Sequence, residues 1–239
     1  MKLQDVKSAG DVEIFDGEYG KISSAGDMAI RGKIRTETLK SMGDLHAAED
    51  VIAGKIQIYG DADFKGTLTA EETQIYGDAR FHKGVKIQDL KVFGNLRAQI
   101  IDADTFQVHG ELEEAEALNA EKALFNGEFH VKQSMNLGKG EMNLAGKSTV
   151  KEIFCESLRV SSRESGYQGI FAGLVSRGKG GTLTVELIEG DELDLENTHC
   201  DTVRGRNIRI GKGSKIRRVE YQESLKIFED GEVLEKEEF

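Results

Sequence analysis

The residues best placed to do chemistry are a row of aspartates, each directly after a glycine. Gly-Asp recurs at Gly10-Asp11, Gly26-Asp27, Gly43-Asp44, Gly60-Asp61 and Gly77-Asp78, then relaxes to Gly94-Asn95, Gly110-Glu111, Gly127-Glu128 and Gly146-Lys147. A column of carboxylates suits a hard cation such as Ca²⁺. The nine-residue Gly/Asp repeat of calcium-binding β-rolls is missing, however, and Asn95 and Lys147 take the same place, which fits a corner residue better than a ligand. His46 and His130 share a register but stand five repeats apart, too far to share a metal. His199 adjoins Cys200, and adjacent side chains on a strand point to opposite faces. Cys155 and Cys200 form neither a metal-ligand pair nor a disulfide framework. There is no nucleophile elbow, Walker loop, dinucleotide fingerprint or HExxH, and the glycine-rich basic run at 209–215 lacks phosphate-loop spacing. These residues predict no catalytic centre, no metal site and no cofactor.

Two further groups are candidates for contact rather than reaction. Arg204, Arg206, Arg209, Lys212, Lys215, Arg217 and Arg218 fall in a segment without an acid, while residues 229–239 hold six acids and one lysine. The plain reading is a solvated face and a frayed tail. The sharper one pairs the basic segment with an acidic surface, either this tail or an anionic partner. The second group is Tyr59, Tyr76, Phe93 and His109, each directly before a corner glycine and therefore outward. Stacked, these rings form either a stabilising ladder or an exposed stripe that marks a contact surface.

The elements that position these residues follow from the glycine spacing, which steps by 16, 17, 17, 17, 17, 16, 17 and 19 residues. Aligned on the glycine, apolar residues fall four and two places before it (Ile56 and Ile58, Leu90 and Val92) and two and four after it (Leu45 and Ala47, Ala79 and Phe81). A third pair follows at eight and ten (Val51/Ala53, Val85/Ile87) and slips one place after Gly94, to Ile101/Ala103. Three period-two segments per repeat predict an all-β fold, a three-sided parallel β-helix (β-solenoid) of about 17 residues per coil. Right-handed crossovers dominate in parallel sheets, so a right-handed coil is expected. The regular β-helix is expected over 1–160 in about nine coils. A Gly-rich loop or hinge covers 161–181, with an apolar island around Ile170 and Leu174. A less regular β-helical module spans 182–228, and an acidic tail 229–239.

A formal charge of −11 argues against a nucleic-acid partner. Proline is absent, as expected where each internal strand pairs on both edges. The start lacks the apolar core of a signal peptide, so a cytoplasmic location is expected, with membrane contact only peripheral and through partners.

The coils IQIYGDADFKGTLTAEE and TQIYGDARFHKGVKIQD, on a short three-sided β-helix, resemble the bactofilins, bacterial polymer-forming cytoskeletal proteins. The resemblance covers residues 6–160. It implies a right-handed helix and nucleotide-independent filaments formed by end-to-end stacking, with scaffold roles in cell shape, polar organisation or motility. The Pro-rich tails and the short apolar membrane-targeting segment of the family are missing, and the module after residue 181 is extra. Solenoid ends leave strand edges and core side chains bare. Val6, Val12 and Ile14 therefore make the first coil the expected self-association surface. The expected partners are further copies of the chain, with a paralogous subunit and other proteins as further candidates. Two alternatives stand beside this non-enzymatic scaffold: a β-helical carbohydrate-processing or carbohydrate-binding protein, and a monomeric adaptor presenting the 204–218 segment.

Overall fold

The computed structural model describes residues 3–162, 180–228 and 230–239. Most of the 161–181 segment expected as a loop, including its apolar island, lies outside the described residues. Every regular element among the described residues is a strand. The strands stack in parallel, each on the strand one coil away, as a three-sided β-solenoid with a repeat of roughly 17 residues. The chain divides into two compact units, Met1–Glu121 and Lys122–Phe239.

In the first unit long and short strands alternate. They are β1 (Gln4–Ser8), β2 (Val12–Ile14), β3 (Gly17–Ser24), β4 (Met28–Ile30), β5 (Ile34–Ser41), β6 (Leu45–Ala47), β7 (Val51–Ile58), β8 (Ala62–Phe64), β9 (Leu68–Ile75), β10 (Ala79–Phe81), β11 (Val85–Val92) and β12 (Leu96–Arg97), followed by the start of β13 (Ile100–Leu144). An eight-residue strand supplies two of the three faces. In β5, Ile34 and Thr36 point in, then Leu39 and Ser41, and the adjacent outward residues Glu37 and Thr38 mark the change of phase. The three-residue strand supplies the third face, Leu45 and Ala47 in β6.

Stacking turns each inward position into a column. Ile34, Val51, Leu68, Val85 and Ile101 form one column, and Met28, Leu45, Ala62, Ala79 and Leu96 another, all buried. Branched apolar residues fit this pleated, dry interior and shed water against their neighbours in the column. Ile101 faces Val85 and Ala103 faces Ile87, which is the one-place slip expected after Gly94.

The second unit holds the end of β13, then β14 (Lys147–Ser162), β15 (Thr182–Leu195), β16 (Thr198–Ile210), β17 (Lys215–Ile227) and β18 (Glu232–Glu238). β15 stacks directly on β14, with Lys147 opposite Thr182 and Val160 opposite Leu195. The next three strands follow at steps of 15, 16 and 17 residues. Residues 182–228 thus form further coils, with uneven steps and a register shift between Gly205 and Asn207. Within the acidic tail β18 is a strand paired in parallel with β17 rather than a frayed end, and Glu232 and Glu237 meet Lys215 and Arg218.

Candidate functional site

The Gly-Asp corners resolve into a hydrogen-bonded ladder. Oδ1 of Asp11, Asp27, Asp44, Asp61 and Asp78 accepts the backbone N–H of Asp27, Asp44, Asp61, Asp78 and Asn95 in turn, at 3.0, 2.9, 2.8, 2.8 and 2.7 Å. Each carboxylate thus satisfies a corner donor of the next coil. The same close approach demands the glycine, since a Cβ there would also stand 2.5–3.0 Å from backbone atoms of the preceding corner. A Cβ at Gly26, Gly43, Gly60 or Gly77 would stand 2.2–2.4 Å from that oxygen, whereas one at Gly10, in the first described coil, would have nothing within 4 Å. The carboxylates are spent singly on backbone capping. Among the described residues no three His, Cys, Asp or Glu gather where they could hold a metal.

A second carboxylate set does the same work and escaped the sequence reading. Asp5, Asp16 and Asp50 accept the N–H groups of Lys21, Lys33 and Thr67 at 2.8, 2.8 and 2.9 Å. The signal was present as an aspartate 16 or 17 residues before the second residue of Gly20-Lys21, Gly32-Lys33 and Gly66-Thr67. At Asp50 the Thr67 N–H, the Lys33 ammonium 3.0 Å away and the Thr67 hydroxyl hold the carboxyl well below the usual carboxylate range.

The four rings before the corner glycines do stack. Centroids of Tyr59, Tyr76, Phe93 and His109 follow one another at 5.0, 5.1 and 4.9 Å, with interplanar angles of 9°, 1° and 11°. Their faces cover one another and their edges meet solvent, leaving Tyr59 and Tyr76 41% and 42% exposed. Met42 continues the stripe and is 49% exposed. Two lysines missed in the sequence belong here. Lys40 lies 5.3 Å from the Tyr59 centroid and Lys91 5.2 Å from that of Phe93, cation–π contacts on the column two residues before the rings. Gln74 accepts from the Tyr76 hydroxyl at 3.3 Å in the same column.

The other expected residues separate. Val6 and Val12 are half-exposed over fully buried Ile22 and Met28. Ile14, expected with them at the surface, is only 2% exposed and belongs to the core, because it closes the inner face of β2 over Ile30. The basic segment is occupied within its own unit. Arg204 reaches Glu220 at 2.6 Å and Glu189 at 3.3 Å, and Arg206 reaches Asp191 at 3.3 Å. Arg209 meets Asp194 at 3.8 Å, Arg217 meets Asp201 at 3.7 Å, Lys215 meets Glu232 at 3.7 Å, and Arg218 pairs with Glu220 and Glu237. Lys212 lies in the turn before β17, where its carbonyl accepts the Asn197 N–H. Burial pushes the thiols of Cys155 and Cys200 up to about 12, so both stay protonated near neutrality.

Coil stacking, corner carboxylates and an outward ring ladder define the class: a parallel β-solenoid repeat protein. No family model and no solved structure matches the chain. Over 77 residues it is 40% identical to the uncharacterised protein YhbE of Bacillus subtilis (strain 168), a match covering 32% of this chain and 30% of that protein. Over 103 residues it is 33% identical to the uncharacterised protein YhbF of the same organism, covering 43% and 40%. Each match thus spans less than half the length of the relative. No helix among the described residues is long and apolar enough to cross a membrane.

Proposed function

We propose that this protein is a non-enzymatic structural subunit that self-assembles, coil edge on coil edge, into nucleotide-independent polymers and scaffolds other components in the cytoplasm. The observation that carries this reading is the first described coil. β1 pairs with β3 in parallel, and Val6 and Val12 lie half-exposed over buried Ile22 and Met28. A parallel strand edge over an apolar column is a template for another strand. The resemblance of the repeats to bactofilins supports the same reading. The basic segment offers an adaptor little, since its cations already meet acids of neighbouring coils. The stacked rings offer a sugar only their edges, whereas carbohydrate packs on ring faces. Concentration-dependent sedimentation with electron microscopy tests the proposal. Wild-type chains should form long species, and Val12→Lys should lose them while keeping an unchanged β spectrum. Monomers of the wild type at every concentration would end this reading.

A further inference from the structure

We infer that the ring-bearing face of the first unit is a lateral contact for a second copy of the chain, paired face to face with both solenoids running in the same direction. Along each long strand this face reads Lys or Gln, then the ring, then glycine, then the corner acid. The first column is Lys40, Gln57, Gln74 and Lys91, and the last is Asp44, Asp61, Asp78 and Asn95. The corner acids give one oxygen to a backbone N–H and form no ion pair among the described residues, and Lys40 and Lys91 meet rings rather than carboxylates. The stripe between them is apolar and exposed over Met42, Tyr59, Tyr76 and Phe93. One edge of the stripe therefore carries two lysines and two glutamine amides, and the other three carboxylates that form no ion pair among the described residues.

That asymmetry selects the occupant and its direction. A two-fold axis parallel to the ring column sets each ring against its own counterpart and places Lys40 on Asp44, the Gln57 and Gln74 amides on Asp61 and Asp78, and Lys91 on Asn95 of the other copy. The opposite sense, with the axis along the strands through the Tyr76 coil, sets Asp78 on Asp78 and Asp44 on Glu111, which is costly. Ring edges from the two copies would meet in the middle and shed water. A stripe this narrow falls short of the roughly 800 Å² per partner of a stable pair, so single pairs are weak. Parallel pairing keeps many contacts in register along stacked chains, and their effects multiply through effective concentration. The contact is separate from the first coil, so it persists in Val12→Lys.

Cysteine cross-linking tests this directly, because a residue on a parallel two-fold meets itself. Tyr59→Cys, the terminal ring of the ladder, should give a disulfide dimer under mild oxidation at high concentration, including in the Val12→Lys background. The wild-type chain, with its two protonated thiols, should stay monomeric on denaturing gels. Adding Lys40→Glu with Lys91→Glu should cut the yield about tenfold through like-charge contact. Asp61→Asn with Asp78→Asn should also lower it, without unfolding, since Asn95 already holds the same corner. No dimer from Tyr59→Cys would overturn the inference. So would dimers appearing only when Tyr59→Cys is mixed with Phe93→Cys, which marks the antiparallel sense, or a yield untouched by charge reversal.

Discussion

Gly10 and Gly60 share the same following residue in sequence and differ in what stands behind them. At Gly60 a methyl group would meet Asp44 Oδ1 at 2.3 Å, and at Gly10 it would meet nothing. Gly60→Ala should therefore cost about 2 kcal/mol or more, while Gly10→Ala stays near neutral, read from urea midpoints. Equal losses would mean that backbone conformation, not the carboxylate, fixes the glycine. Thr73 makes a second test. It interrupts the column Leu39, Ile56, Thr73, Leu90, and its buried hydroxyl finds no hydrogen-bond partner. Thr73→Val should stabilise by about 1 kcal/mol, seen as a higher melting temperature. The glycine period and the columns were legible in the sequence because both repeat. The partner of each carboxylate was not, since an N–H one coil away carries no side-chain mark. Ser24 and Ser41 take the inward place two before the corner glycine, and their hydroxyls donate to the corner carbonyls of Gly10 and Gly26, at 2.6 and 3.2 Å.

Between elements, exposed charges add to the register that the buried apolar columns set. The basic residues of β16 lie between acids of β15 and β17, so Arg204 bridges Glu189 and Glu220 across three strands. The sequence displayed these charges as a basic block followed by an acidic tail. Pairing with the tail was one of the readings that the sequence offered, and the individual partners follow from steps of 15 to 17 residues that place one strand over the other. Arg204→Ala should destabilise the second unit by about 1 kcal/mol, an effect that shrinks in high salt because these groups are partly exposed. A salt-independent loss would assign the role of Arg204 to packing of its stem. Acid acts on the first unit through Asp50. Its carboxyl is held below the usual range in the folded chain, so its contribution is fully present above its unfolded value, about pH 4. The contribution is lost as pH falls from there toward the folded value. Asp50→Asn should thus lower stability at neutral pH and flatten the decline below about pH 4, measured by denaturant unfolding at each pH.

Across the molecule, each coil touches chiefly the coils before and after it, and the consequence is energetic as well as geometric. The strand pairings of the first unit join residues 15 to 17 positions apart, so each closes a loop of about one coil, and stability becomes a sum over neighbours. A defect in such an array spreads by weakening adjacent interfaces rather than by removing one shared core. Gly60 lies at the corner between β7 and β8, and its clash falls on Asp44, just before β6. In Gly60→Ala, amides of β6, β7 and β8 should lose the most protection in native-state hydrogen exchange. The loss should fade through β10 and β11, because those strands keep their own ladder bonds and columns. A globular core would behave differently, lowering protection of its slowest amides together. Uniform loss from β3 to β11 would therefore mean that the first unit opens as a single cooperative body, and that the neighbour sum fails on its scale.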